Sequence, residues 1–143
     1  GVVARRGVNV GIAVDAEGGY SVNVVKNADK KGMLAILEET LAFPSDSAPS
    51  SDACALTVRA FGGSCFPSDS AVASAISIVP EGQTAMLSLA AARQVAMSDD
   101  PKAAPVEMAV ATLAYDARVV GEAEASEFLT VFAEAINDPS SMI

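Results

Sequence analysis

The sequence contains no histidine and no tryptophan, and its 143 residues include only two cysteines. Histidine is the side chain that most often accepts a proton near neutral pH, so the chain itself supplies no imidazole base. Two cysteines without histidine also fall short of the four nitrogen or sulfur ligands of an ordinary zinc site, and we predict no metal. Cys54 and Cys65 lie in or beside apolar runs, which favours buried free thiols and a reducing compartment over a disulfide.

Basic residues are scarce as well: the chain has nine lysines and arginines but eighteen aspartates and glutamates, which gives a net charge of −9. Binding to nucleic acid phosphates relies on lysine and arginine, and so does binding to an anionic membrane surface. No uncharged apolar run reaches the roughly 18 residues of a membrane-spanning helix. No glycine-rich phosphate loop is recognisable either. We therefore predict no nucleic acid, no membrane and no cofactor among the partners of this chain.

Apolar residues are abundant, at 51% of the chain, whereas aromatic residues make up only 5%. A chain of this length is most simply one domain, residues 1–143, that buries roughly 70% of the surface its unfolded form exposes. Its core must be built mainly from aliphatic side chains. The remaining apolar surface favours association with other chains. The first residues lack the charged-then-apolar order of a signal peptide, and we expect the chain to begin inside a longer polypeptide.

Periodicity in the first half predicts a hairpin followed by a helix. Valine and isoleucine alternate with small residues over 8–14, a Glu-Gly-Gly turn follows, and alternation resumes over 20–24. Apolar residues then recur at helical spacing over 33–41, with an N-cap candidate at 27–29 and a stop at Pro44. The polar segment after that proline is typical of a surface loop.

In the second half, apolar runs predict strands at 54–61, 84–90 and 106–115, the last as a central strand covered on both faces. A final helix carries an apolar face that includes Ala125, and Asp138 ends it. Helices combined with several strands predict an α/β (α+β) two-layer sandwich.

Residues 115–121 read Tyr-Asp-Ala-Arg-Val-Val-Gly. This segment resembles the Asp-His-Arg-x-x-Asp-Gly signature of the dihydrolipoamide acyltransferases, the core-forming subunits of 2-oxo acid dehydrogenase complexes. Residues 8–14 resemble the Val-Asn-Ile-Gly-Ile-Ala-Val strand of that family, and residues 84–89 resemble its Ala-Ala-Ile-Leu-Ala-Val strand. The likeness covers the C-terminal part of the family's domain, so it implies a truncated chloramphenicol-acetyltransferase-like fold with a mixed sheet.

The resemblance implies a trimer with active sites between subunits. In the family, a histidine deprotonates the thiol that attacks a thioester, and a serine of the neighbouring subunit donates a hydrogen bond to the oxyanion. Here the histidine position is Ala117, the second aspartate of the signature is Gly121, and the serine position is Arg59. Asp116 and Arg118 are retained, and the resemblance implies an ion pair that shapes the loop.

Loss of a positioned base costs about 10²–10⁴ in rate, and loss of an oxyanion donor costs about 10²–10³ more, so we interpret the chain as a degenerate acyltransferase that is not an enzyme. It most resembles the dihydrolipoamide dehydrogenase-binding proteins (protein X) of fungal pyruvate dehydrogenase complexes. That likeness implies a homotrimeric domain in the mitochondrial matrix that anchors to the dihydrolipoamide acetyltransferase core. Upstream lipoyl and subunit-binding domains, outside this chain, would recruit dihydrolipoamide dehydrogenase. Met142 and Ile143 are candidates for an apolar anchoring tip, and a frayed terminus is an equal alternative.

Two other functions remain open on sequence grounds. The chain is a divergent acyltransferase if mixed assemblies borrow the histidine of an intact partner. It is a small-molecule binder if it retains the family's coenzyme A channel.

Overall fold

The computed structural model describes residues 1–2, 4, 6–16, 19–43, 54–61, 72–98 and 103–142. Their strands and helices, in chain order, are β1 (Val10–Ala16), β2 (Gly19–Val25), α1 (Met33–Leu41), β3 (Leu56–Ala60), β4 (Ala85–Leu89), β5 (Arg93–Val95), β6 (Val106–Met108), β7 (Ala111–Tyr115) and α2 (Glu122–Asn137). Two short 3-10 turns lie at Ala28–Lys30 and Pro139–Met142. The Glu-Gly part of the predicted hairpin turn, the loop after Pro44 and Cys65 lie outside the described residues.

The main sheet has five strands in the order β2-β1-β3-β4-β7. The two outer pairings are antiparallel, whereas β3 runs parallel to both β1 and β4. Strands β5 and β6 form a separate antiparallel pair. Parallel neighbours require a long crossover, and α1 lies in the one that joins β2 to β3. This mixed sheet with few helices confirms the predicted α+β fold.

The core is centred on β4, where three consecutive residues, Met86, Leu87 and Ser88, are buried on alternate faces of the sheet. The prediction that residues 106–115 form the central strand is wrong. That run divides into β6 and β7, and β7 lies at the edge of the main sheet. The division occurs because residues 106–108 pair with β5, outside the main sheet. A continuous apolar run in the sequence shows that the segment is hydrophobic. It does not show which strand each half of the segment pairs with.

The predicted cap of α1 at 27–29 is also wrong. Asn27 adopts a left-handed backbone conformation (φ 51°) and leads into the first 3-10 turn, so α1 begins only after Gly32. The two residues before β1 hold this turn: Ala28 N–H donates to the Val8 carbonyl at 2.7 Å, and Asn27 N–H donates to Asn9 Oδ1 at 3.0 Å. Asparagine tolerates the left-handed region better than most residues. Contacts between distant segments therefore displace the helix start.

Helix α2 confirms the predicted final helix, which Asp138 ends at the expected place. Its buried residue is Ala125, and the helix contacts β7. Helix α1, by contrast, buries none of its residues; Met33, Leu34, Leu37 and Leu41 are 48–77% exposed. That face accounts for part of the surplus apolar surface expected from composition. Neither helix within the described ranges has the length and apolarity needed to cross a bilayer.

Candidate functional site

A tight loop joins β7 to α2 and carries the residues of the 115–121 motif. Asp116 N–H donates to the Thr84 carbonyl at 2.9 Å, which ties the loop to the start of β4. The N–H groups of Val119 and Val120 donate to the Asp116 carbonyl at 2.9 and 3.0 Å. These bonds close a turn in which Ala117 is exposed. The backbone of the loop is thus held at both ends by hydrogen bonds.

The side chains of Asp116 and Arg118 form a two-pronged ion pair. Arg118 Nε donates to Asp116 Oδ1 at 2.9 Å, and Arg118 Nη2 donates to Asp116 Oδ2 at 2.6 Å. The backbone N–H of Arg118 also donates to Asp116 Oδ1, at 3.0 Å. The carboxylate side chain is 22% exposed and the arginine side chain is 88% exposed. The ion pair therefore holds the loop through the mostly buried carboxylate of Asp116, and the side chain of Arg118 lies at the surface.

The ion pair lowers the pKa of Asp116 from its ordinary value of 3.8 to about 2. The largest cause is the side-chain hydrogen bond from Arg118, followed by its backbone N–H, and partial desolvation opposes both. The same contact raises the pKa of Arg118. Near neutral pH both groups stay charged, so neither is suited to exchange a proton with a thiol.

We expect the ion pair between Asp116 and Arg118 to make the stability of the folded chain depend on pH under acidic conditions. Because folding lowers the pKa of Asp116, the stabilisation is fully present above about pH 4 and is lost as the pH falls through about 2. Replacement of Asp116 with asparagine should lower the melting temperature at pH 7, and the difference from the unmodified chain should shrink toward pH 2. In an Arg118→Met variant, NMR titration should show the pKa of Asp116 returning toward its ordinary value. A difference that is constant with pH would contradict this account.

A cavity of about 700 Å³ opens beside this loop, at the edge of the sheet where β1, β3 and β4 begin. Its wall includes Asp116, Arg118 and Val119 from the loop. The strand starts contribute Val10, Leu56 and Thr84, and the turn before β4 contributes Gln83. Sequence reasoning missed the strand-start residues as site residues, because only the sheet register places them beside the loop.

Arg59 lies on β3, the middle strand of the sheet, and does not reach the motif loop. Its guanidinium carbon lies 4.6 Å from the ring centroids of both Tyr20 and Phe61. Arg59 pairs with Ser88 of β4, which in turn pairs with Thr112 of β7. The end of β7 is therefore roughly 10 Å away along the strands and roughly 10 Å away across them. Within one chain, the Arg59 position and the Ala117 position belong to different sites.

Gly121 is the N-cap residue of α2. Its N–H donates to Glu124 Oε2 at 2.8 Å, which is half of a capping box, since glycine has no side chain to return the contact. Sequence reasoning missed this role of Glu124, although a glutamate three residues after a helix start is its known signal. The contact fixes the point where the loop becomes helix.

Two further predicted features lie elsewhere. Cys54 is a buried free thiol, as predicted. Met142 closes the second 3-10 turn, and Ile143 lies outside the described residues. The anchoring role of Met142 and Ile143 stays a prediction. Among the described residues there is no cluster of three or more potential metal-ligating His, Cys, Asp or Glu side chains.

Three known proteins show what this chain is similar to. It is 29% identical over 141 residues to the dihydrolipoyllysine-residue acetyltransferase component of the pyruvate dehydrogenase complex of Cupriavidus necator, covering 96% of this chain and 25% of that protein. The structure matches dihydrolipoamide acetyltransferase of Azotobacter vinelandii with a TM-score of 0.77 at 23% identity, covering 98% of this chain and 58% of that one. It also matches a truncated catalytic core of the 2-oxoacid dehydrogenase multienzyme complex of Thermoplasma acidophilum, with a TM-score of 0.70 at 21% identity, covering 96% and 60%.

The prediction that this chain is not an enzyme is wrong. Its relatives are named acetyltransferases, and the structural study of the Azotobacter enzyme concerns a serine, a histidine and an asparagine in its catalytic mechanism. That prediction had been drawn from the residues at two catalytic positions of the family, Ala117 and Arg59, taken within this chain alone. A missing imidazole removes one group from this chain, whereas the loop and cavity beside it remain. The chain spans about a quarter of the length of the Cupriavidus protein and just over half of the Azotobacter chain.

The family assignment rests on the whole sequence. The profile of the 2-oxoacid dehydrogenases acyltransferase (catalytic domain) family matches residues 1–143. The relatives named above give no support to the narrower assignment to protein X. The fold also agrees with those of the two solved acyltransferase structures named above, at TM-scores of 0.77 and 0.70. This chain therefore belongs to the family of 2-oxoacid dehydrogenase acyltransferase catalytic domains.

Proposed function

We propose that this chain is an acyltransferase-domain subunit of a 2-oxo acid dehydrogenase complex and that it acts in acyl transfer at a site shared with a histidine-bearing subunit. One observation carries this proposal. The motif loop is held by backbone hydrogen bonds beside a cavity, yet Ala117, one of its exposed residues, bears only a methyl group. The scaffold of the family's active-site loop is therefore kept although its own proton acceptor is missing, and any site to which this chain contributes must take its base from another chain.

The chemistry of the reaction defines what the second subunit has to supply. Transfer begins when a base removes the proton of a thiol and the sulfur attacks the carbonyl carbon of a thioester. A new C–S bond forms, and the carbonyl π electrons move onto oxygen. The oxyanion then collapses, the old C–S bond breaks, and the departing thiolate takes the proton back from the base. An imidazole suits this role because its pKa lies near neutral pH.

The separation of Arg59 from the Ala117 loop also supports a shared site. In one chain, the motif loop and Arg59 lie two strand spacings apart across the sheet and roughly 10 Å apart along it. A neighbouring subunit that brings a histidine to the Arg59 side would complete a site in which this chain forms one wall. In the opposite arrangement, the neighbouring subunit faces the Ala117 loop of this chain. That site has no base, because the base would have to come from the position that Ala117 occupies.

Mixed assemblies test this function directly. The acetyltransferase catalytic domain of the Azotobacter relative, carrying an affinity tag, is assembled with a large excess of this chain and purified through the tag. We expect acetyl transfer from acetyl-coenzyme A to dihydrolipoamide, per histidine, within about tenfold of the tagged domain alone, whereas a site that lacks its oxyanion stabilisation loses about 10²–10³. A tagged domain without its histidine is the matched control and should give no transfer. Rates per histidine that fall by two or more orders of magnitude would contradict the proposal.

The wider assembly follows from the same proposal. A subunit that shares sites must sit within an acyltransferase core, and the Cupriavidus relative is named a component of the pyruvate dehydrogenase complex. Anchoring to a dihydrolipoamide acetyltransferase core is therefore part of the proposed function. A homotrimer, recruitment of dihydrolipoamide dehydrogenase through segments outside this chain, and a mitochondrial location stay predictions.

A further inference from the structure

Helix α2 is only partly covered by the rest of the chain. All of its sixteen residues, Glu122–Asn137, are described, and Ala125 is the one that is buried. The helix contacts β7, which is itself an edge strand of the main sheet. Most of the stability of a helix within a protein comes from packing of its apolar face. The exposed sides of α2 therefore offer a surface against which another element can pack.

One exposed side of α2 carries an apolar row. Phe128, Val131 and Ala135 follow one another at spacings of three and four residues, which places them along one side of the helix. Phe128 is 39% exposed and Val131 is 57% exposed, whereas Ala135 is half-buried. The Phe128 ring stacks on the ring of Phe132, with centroids 6.3 Å apart, so a neighbour on the same helix supports it. This row has the spacing with which one helix packs against another.

Glutamates border the apolar row. Glu127 and Glu134 lie on either side of Val131 in the sequence, at spacings of four and three residues, so all three share one side of the helix. Two more glutamates, Glu122 and Glu124, lie in the first turn, and α2 contains no lysine or arginine. Charges beside an apolar seam determine which helix pairs with it, because unlike charges across the seam attract and like charges repel. The border of this row therefore favours a basic partner.

The same charges disfavour two simpler occupants of this surface. A second copy of α2 would bring glutamate against glutamate, and each whole chain carries a net charge of −9. An anionic membrane surface attracts helices with lysine and arginine on the polar face, and α2 has neither residue. A protein helix with basic residues beside an apolar stripe complements both the apolar row and its acidic border.

We propose that the row of Phe128, Val131 and Ala135, with Glu127 and Glu134 at its border, is a docking surface for an amphipathic helix of another chain. That helix carries lysine or arginine beside its own apolar stripe. Its apolar side chains pack against the row, and its basic side chains pair with the two glutamates. Because the row begins about 10 Å along the helix from its N-cap, the docking surface is separate from the candidate site. The inference does not depend on the proposed function.

A synthetic peptide of three heptads tests the docking surface. It has leucine at the a and d positions and lysine at the e and g positions, and repulsion between the lysines keeps it unfolded when alone. Mixed with the full chain, this lysine peptide should gain helical circular dichroism, and its affinity should fall as salt is added. The matched probe has glutamate in place of every lysine, and we expect it to bind at least about tenfold more weakly.

Reversal of the border charges should reverse this preference. The double variant Glu127→Lys/Glu134→Lys should bind the lysine peptide about tenfold more weakly or worse, and it should bind the glutamate peptide instead. A structural role of these glutamates within the chain does not predict such a reversal. The matched control is Glu81→Lys/Glu107→Lys, which makes the same change of net charge at two exposed positions outside α2. That control should keep the preference of the unmodified chain.

The apolar row has its own pair of variants. Val131→Asn should weaken binding of the lysine peptide by about tenfold, because it removes apolar contact at the centre of the row. Ile78→Asn is the matched control, since Ile78 is an exposed apolar residue outside α2, and binding should stay unchanged. Circular dichroism of each variant alone verifies that α2 is still folded.

Three results would overturn the inference. Equal affinity for the lysine and glutamate peptides, or no binding of either, excludes a basic partner on this surface. A charge-reversed chain that still prefers the lysine peptide places the binding elsewhere. If analytical ultracentrifugation shows a dimer of the chain that Val131→Asn abolishes, the occupant is a second copy. Acetyl transfer by mixed assemblies tests the proposed function alone, so the two can fail independently.

Discussion

Replacement of Ala117 with histidine should raise the acetyl-transfer rate of assemblies made from this chain alone by about 10²–10⁴-fold. The substitution supplies the missing proton acceptor at an exposed position of a loop that is already hydrogen-bonded to the segment before β4 and to α2. The hydrogen bonds of Asp116 to Thr84, Val119 and Val120 involve backbone atoms, so a new side chain at position 117 leaves them intact. An exposed substitution of this kind should change stability by less than about 0.5 kcal/mol.

The measurement compares acetyl transfer from acetyl-coenzyme A to dihydrolipoamide for the unmodified chain, Ala117→His and Ala117→Gln. Glutamine is a polar side chain that accepts no proton near neutral pH, so it separates basicity from bulk and polarity. The rate gained by the histidine variant should follow the deprotonation of imidazole, rising between about pH 5.5 and 7.5. Equal rates for the histidine and glutamine variants would show that the loop does not place position 117 against the thiol.

Replacement of Gly11 with alanine should destabilise the fold by about 1–3 kcal/mol, the usual cost of forcing a methyl group into a packed interior. A β-carbon at this position would lie 2.6 Å from Thr57 Oγ1, 2.8 Å from Val22 Cγ1 and 2.9 Å from Cys54 Sγ. Valine and threonine are stiff at their first side-chain torsion, and Cys54 is buried, so none of them moves away easily. Thr57 is also held by a hydrogen bond, since its hydroxyl donates to Gln83 Oε1 at 2.7 Å.

Thermal unfolding measures the effect, and the melting temperature should fall by roughly 3–10 °C for a domain of this size. Gly32→Ser is the matched control. No heavy atom lies within 4 Å of a β-carbon built at Gly32, and serine is a favoured residue at the start of a helix. That variant should be neutral or a few tenths of a kcal/mol more stable. If the two variants melt together, β1 and β3 are packed less closely than the contacts of Gly11 indicate.

Gly11 also connects stability to the candidate site. Thr57, which its β-carbon would displace, bonds to Gln83, and Gln83 forms part of the cavity wall beside the motif loop. A shift of Thr57 should therefore disturb the cavity as well as the sheet. We expect Gly11→Ala, combined with Ala117→His, to reduce the acetyl transfer that the histidine variant gains, even at temperatures at which the chain stays folded.

The elements that sequence predicted correctly are those whose pattern is local. Alternation specified the hairpin of β1 and β2, and helical spacing together with Asp138 specified α2 and its end. The mistaken central strand at 106–115 and the mistaken cap at Asn27 share a cause. Both depended on partners far away in the chain: β5 for the first half of the apolar run, and Val8 and Asn9 for the turn.

The features of the candidate site also fall into those that the sequence shows and those that only the fold shows. Residue identity alone shows that this chain has no imidazole and that Asp116 and Arg118 flank an alanine. Residue identity also led to the prediction that the chain is not an enzyme, which is contradicted by relatives that are named acetyltransferases. The contacts of Arg59 were not predictable, because Tyr20 and Phe61 are brought to Arg59 by the sheet and not by spacing along the chain.

Amino-acid order was sufficient for the family, the strand and helix content and the chemical groups available, because each depends on residue type and on neighbours a few positions away. Pairing in the sheet was required for the rest. It located the cavity at the starts of β1, β3 and β4, and it separated Arg59 from the motif loop. These properties arise from distances between segments far apart in the chain, and only the folded backbone sets those distances.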